Sequence, residues 1–231
     1  MNALGLSALW VAGWSLWLQA GSLQAGSVGR AVAWGYNASG QASVPPSLVQ
    51  VVAVAAGGYH SLALKSDGTV VAWGDNTTGQ AKVPTGLTNV MAIAAGGYHS
   101  LALKKDGTVV GWGDDSFGQI NIPAGLTNVV GIAAGYSHSL ALRSDRTMVA
   151  WGNNTYGQAS VPANVSNVIA IAGGGYHTLA LMGNNTVVAW GYNNSGQATV
   201  PAGLTNVVEI AGGWFAQPGT KARWLSGRLG Q

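Results

Sequence analysis

The chain has 231 residues, of which 7% are charged, with 36 Gly, ten Trp and no Cys. This balance suits packed strands joined by tight turns, suits long helices poorly, and excludes disorder, disulfides and thiolate chemistry. The formal net charge is +3, but between positions 31 and 211 six basic residues (Lys65, Lys82, Lys104, Lys105, Arg143 and Arg146) are balanced by seven acidic ones. No basic stripe is available to track a phosphate backbone, so nucleic acid is not expected as a partner.

Residues 1–29 carry no charged side chain, and Ala3 to Leu18 is largely apolar. The run is short for a membrane span, which needs roughly 20 residues. It fits the core of a signal peptide, with Ala20-Gly21-Ser22 or Ala25-Gly26-Ser27 as a small-x-small cleavage site, although no Lys or Arg precedes it. A secreted or cell-surface location follows as an expectation, with membrane contact only through an uncleaved leader. The competing reading is a degenerate earlier repeat, in which Ser22-Leu23 and Gly29 to Gly35 match Ser61-Leu62 and Gly68 to Gly74.

From residue 30 the chain is periodic. Trp34, Trp73, Trp112, Trp151 and Trp190 each begin a Trp-Gly pair and lie 39 residues apart. His60, His99, His138 and His177 keep the same interval, as do Pro45, Pro84, Pro123, Pro162 and Pro201. Within the unit from Val49 to Pro84, Gln50 to Ala56 is predicted to be a strand buried on both faces. His60 to Lys65 alternates, with Leu62 and Leu64 on one face and Ser61 and Ala63 on the other. Asp67-Gly68 signals a two-residue type I′ hairpin. Thr69 to Trp73 returns antiparallel, and a short fourth strand is conceivable near Val83-Pro84. The turn glycine is replaced by Arg146 in one unit, at a cost of about 1 kcal/mol if positive φ is kept, and by the better tolerated Asn185 in another. Such a sheet cannot bury two apolar faces alone, so neighbouring units must stack radially as a β-propeller. A β-solenoid is disfavoured because solenoid strands run parallel.

The segments GGYHSLALKSDGTVVAWG and WGDNTTGQAKVP resemble the RCC1 repeat, in the compact spacing of bacterial RCC1-like proteins, among them a secreted β-lactamase inhibitor. The resemblance implies a seven-bladed propeller. With five Trp-Gly units the expected fold is all-β, about five blades of three to four antiparallel strands, incomplete or open. The expected organisation is a leader over 1–29, repeats over 30–213 and an off-pattern tail over 214–231. That tail is expected to be frameshifted. From Ala216 onward it admits codons that, with one base dropped, encode HSLALKRDGSVVGWG, a continuation of the repeat.

No catalytic constellation emerges. The four repeated His suit a packing or hydrogen-bonding role better than a metal ring. His60 and Ser61 point to opposite faces and cannot form a nucleophile–base pair. Asp67, Asp106 and Asp145 are turn residues, Asp75, Asp114 and Asp115 are loop residues, and Gly173-Gly174-Gly175 lacks the context of a phosphate loop. No cofactor and no metal are expected. Sequons such as Asn37-Ala38-Ser39 matter only if the host glycosylates the protein.

Binding is expected where the repeat varies. Phe117 and Tyr156 occupy matching positions before Gly-Gln in adjacent units, flanked in other units by Tyr36 and Tyr192. Tyr59, Tyr98, Tyr136 and Tyr176 precede the repeated His. Tyr supplies contact area at low entropic cost, so these eight residues are the candidate partner-binding set, with blade packing as the competing role of the repeated tyrosines. The expected function is a non-catalytic scaffold that binds another protein. The resemblance also suggests inhibition of a secreted enzyme such as a β-lactamase, or guanine-nucleotide exchange.

Overall fold

The computed structural model describes residues 31–213 and the backbone of three residues before them, Trp17–Gln19. The leader, its cleavage motifs and the tail with Trp214-Phe215 lie outside the described residues.

The first ladder pairs β1 (Trp17–Gln19) with β2 (Val32–Trp34). It sets Trp17 opposite Trp34, whereas the repeat register would put Ser22 there. Four three-stranded antiparallel sheets follow. They are β3 (Val51–Ala56), β4 (His60–Lys65) and β5 (Val70–Gly74); β6 (Val90–Ala95), β7 (His99–Lys104) and β8 (Val109–Gly113); β9 (Val129–Ala134), β10 (His138–Arg143) and β11 (Met148–Gly152); and β12 (Val168–Gly173), β13 (His177–Met182) and β14 (Val187–Gly191). β3, β6, β9 and β12 touch in that order along the inside of the arc. Val207 bonds back to Asn185 at the start of the next unit, and the last sheet does not pair with the first. The blades therefore form an open arc. The segment around Val83-Pro84 is a turn, not a fourth strand.

Two further expectations need correction. The inner strands are not buried on both faces. The register slips between Val51 and Ala53, so Val52 bulges outward, and Met91, Val130 and Ile169 repeat its exposed position. An αL residue (Gln50, Asn89, Asn128 or Asn167) precedes each slip. The hairpin is also not a type I′ turn, because within it only the Gly68 position has positive φ, 78°. Gly68 N donates to Lys65 O at 2.9 Å and Lys65 N to Thr69 O at 2.9 Å, which makes a type I turn closed by a glycine bulge. Arg146 keeps this strained conformation at φ 66°.

The core lies between sheets. Leu62, Leu64 and Val70 of one blade pack with Val90, Ala102 and Trp112 of the next, while Ala63 faces the preceding unit, as the alternation requires. Leu62, Leu101 and Leu140 are fully buried, and each contributes about 2 kcal/mol by leaving water.

Candidate functional site: the aromatic loop face

Each blade ends in two segments, the turn before the histidine and the loop after the third strand. Hydrogen bonds zip them together: Asp75 N to Tyr59 O, Asp114 N to Tyr98 O, and Tyr192 N to Tyr176 O, all 2.8 Å. The turns also join blade to blade, with Gly58 N donating to Gly96 O at 3.1 Å and Gly97 N to Tyr136 O at 3.0 Å. Gly97 has to lack a side chain, because a Cβ there would stand 2.8 Å from the Tyr136 ring.

Six tyrosines form one cluster. Tyr59 stacks on Tyr98 with centroids 5.1 Å apart, Tyr98 meets Tyr136 edge-on at 5.7 Å, and Tyr136 meets Tyr176 at 5.5 Å. Tyr156 lies 5.6 Å from Tyr176 and 4.7 Å from Tyr192. These separations are those of favourable aromatic pairs. Partial burial raises the Tyr176 phenol pKa above its usual value, and partial burial with a hydrogen bond to Tyr59 does so for Tyr98, so both stay protonated. Phe117 makes no ring contact among the described residues and is 53% exposed, and Tyr156 is 48% exposed. Tyr36, exposed in the first unit, holds the position that Tyr192 holds in the last.

A rigid staple supports the variable positions. The Gln119 Oε1 atom accepts Phe117 N at 2.9 Å, and Gln158 Oε1 accepts Tyr156 N at 2.9 Å. The same bond recurs at Ser39, Thr78 and Ser195. The glutamine amide then donates to Asp75 (2.7 Å), Asp114 (2.6 Å) or Asn153 (3.0 Å). In the first unit Tyr36 replaces that acceptor, and Gln41 Nε2 is buried with no partner among the described residues.

Behind this face runs a buried relay that sequence reasoning missed. The Gln80 carbonyl accepts Trp112 Nε1 and Ser100 Oγ, both at 2.9 Å, and Ser100 Oγ lies 2.8 Å from His60 Nε2. The same set recurs at His99, Ser139 and Gln119, and at His138, Thr178 and Gln158. The serine's single proton goes to the carbonyl, so the imidazole must donate from Nε2. Burial pushes these histidines down from 6.5, to about 4 for His60 and His138 and about 3 for His99. The hydroxyls of Ser100 and Ser139 are fully buried, so the His–Ser pairs link blades away from solvent. The only sequence signal was that Gln, His, a hydroxyl and Trp recur at one interval. Among the described residues no group of three His, Asp or Glu is placed to hold a metal ion.

An arc of stacked antiparallel blades, joined at one end by a cluster of aromatic loops, defines a β-propeller repeat protein. The "Regulator of chromosome condensation (RCC1) repeat" profile matches residues 51–80, 91–119, 129–158 and 168–197, just over half of the chain. The chain belongs to the RCC1 repeat family. Solved structures share the fold. Prp20p of Saccharomyces cerevisiae, studied for binding to Gsp1p and histones, matches with TM-score 0.66 and 24% identity over 86% of this chain and 60% of its own. Human WBSCR16 matches with TM-score 0.66 and 22% identity over 88% and 68%. The ectodomain of the Physcomitrella patens receptor kinase CR4 matches with TM-score 0.69 and 24% identity over 96% and 61%. The chain thus spans about 60% of the length of Prp20p. No curated protein sequence matches it significantly.

Proposed function

We propose that this chain is a non-catalytic scaffold that binds another protein through the loop end of its blades. The observation that carries this reading is the pair Phe117 and Tyr156. Both break the repeat, both are half exposed, and both stand on turns whose backbone a glutamine side chain holds fixed. Large aromatics presented on a rigid frame are what a binding hot spot needs. The relay agrees with a non-catalytic reading, because its imidazoles are buried and its hydroxyls are buried and hydrogen-bonded. Fold-level likeness to Prp20p, which binds Gsp1p and histones, agrees with protein binding and names no partner here. The apolar leader with its small-x-small motifs supports export, so we propose a secreted or cell-surface site of action.

The test compares the full chain with a Phe117→Ala/Tyr156→Ala variant as bait in extracellular fluid of the source. Proteins retained by the first and lost by the second are expected. A hydrolytic activity intrinsic to the purified chain, with no second protein present, would overturn the reading. Inhibition of secreted hydrolases by the chain, lost in the same variant, would identify the partner as an enzyme.

A further inference from the structure

Charge divides along the blades. The hairpin end carries Lys65, Lys104, Lys105, Arg143 and Arg146 against Asp67, Asp106 and Asp145, with Glu209 in the inner segment of the next unit. At the loop end, among the described residues, Asp75, Asp114 and Asp115 are accompanied by a single base, Lys82. The aromatic face is therefore the acidic one.

Asp115 shows that this charge is not a structural need. Its Oδ1 atom accepts Ile120 N at 3.3 Å. In the other four units an asparagine makes the same bond at 2.7–3.0 Å: Asn37, Asn76, Asn154 and Asn193. A neutral amide would hold this turn at least as well, yet here stands an exposed carboxylate two residues before Phe117. The charge and the aromatic ring depart from the repeat together, next to the unit that carries Tyr156.

Tyrosine rings attract cations through their faces, and guanidinium stacks on them while pairing with a carboxylate. Resting on the protein-binding reading above, we propose that the loop face takes an extended, arginine-bearing segment of its partner. Guanidinium groups lie over the exposed rings of Tyr156 and Phe117, with half-buried Tyr192 beside Tyr156, and pair with Asp115. The rings within the cluster are too close, at 4.7–6.4 Å between centroids, to admit a cation between them, so the segment lies on the cluster and not inside it.

The probe is a fluorescein-labelled alternating Arg-Gly peptide titrated with the full chain, beside an alternating Glu-Gly peptide. The Arg-Gly peptide is expected to bind and the Glu-Gly peptide not. Tyr156→Ala is expected to weaken binding roughly threefold or more. Asp115→Asn, which restores the residue of the other units and keeps the turn, is expected to weaken it at least about twofold at low salt, with the difference vanishing as salt rises. A substitution at the other end, Lys105→Ala, leaves binding unchanged or slightly stronger. Equal binding of both peptides, or an Arg-Gly affinity indifferent to Tyr156→Ala and Asp115→Asn, overturns the proposal. If the peptide fails while a photo-crosslinker at position 156 still captures a protein, protein binding stands and the arginine-bearing segment does not.

Discussion

His60 and Ser100 lie 40 residues apart in the chain and 2.8 Å apart in the fold, joining the middle strands of adjacent blades. Each such contact ends on a glutamine carbonyl that also holds the tryptophan of the next blade. A glutamine, a histidine, a hydroxyl and a tryptophan, each recurring once per repeat, thus form one inter-blade joint.

Removing the hydroxyl should break that joint. Ser100→Ala leaves the His60 Nε2–H buried without an acceptor, and a loss of about 1–3 kcal/mol is expected in chemical denaturation. Ser100→Thr should be far milder, because Thr178 already fills the equivalent place at 3.0 Å from His138. Equal losses for the two variants would contradict the joint.

Acid should open the arc. A histidine whose folded pKa lies below its unfolded value binds fewer protons in the native state, so its contribution to stability is complete above pH 6.5 and is lost as the pH falls toward the folded value, about 4 for His60, His138 and His177. The shift corresponds to on the order of 3 kcal/mol for one such histidine. Denaturation midpoints are expected to fall steadily through this window. A flat profile would show that the imidazoles charge freely in the fold.

Gly57 is fixed by close approach. A Cβ there would stand 2.5 Å from the His60 ring and 2.6 Å from the Gly96 carbonyl, both in the packed seam. Gly57→Ala should therefore cost about 1–3 kcal/mol. At Gly79 a Cβ would meet nothing within 4 Å, and only its φ of +87° opposes substitution. Gly79→Ala should cost about 1 kcal/mol. Thermal melts of the two variants rank the seam against simple backbone strain.

Arg146 is the strained turn. Arg146→Asn should relieve part of the αL penalty, as Asn185 does in the next blade, and raise stability by roughly 0.5 kcal/mol. The gain is reduced by loss of the Arg146 bond to Asn167 Oδ1 at 2.7 Å. A fall in stability would mean that this bond outweighs the strain.

Period and alternation made the blades legible. The fixed interval of Trp34, Trp73 and Trp112 implied stacked units, and the alternation of Leu62, Ala63 and Leu64 assigned each face correctly. The bulge at Val52 was hidden because an apolar run looks the same whether one residue slips or none does. The hairpin type was missed because Asp-Gly suits both a type I′ turn and a type I turn with a glycine bulge. The His–Ser joint was invisible because its partners lie in different units, 40 residues apart in the chain. Of the candidate site, the periodic tyrosines could be placed at one end, but the link from Tyr176 through Tyr156 to Tyr192 depends on how adjacent loops converge.

The most direct test of the loop face as the binding surface is photo-crosslinking from both ends of the arc. A benzoylphenylalanine is placed at Phe117 or Tyr156 on the loop end, and at Asp67 or Asp106 in the hairpin turns, in the full chain exposed to its native surroundings. All four positions are exposed turn or loop sites, and circular dichroism of each variant checks that losing the Asp67 bond to Thr69 N or the Asp106 bond to Thr108 N leaves the fold intact. Crosslinks to one and the same protein from Phe117 and Tyr156, with none from Asp67 and Asp106, is the result expected here. Capture of that protein from the hairpin positions, with silence at the loops, would contradict the assignment.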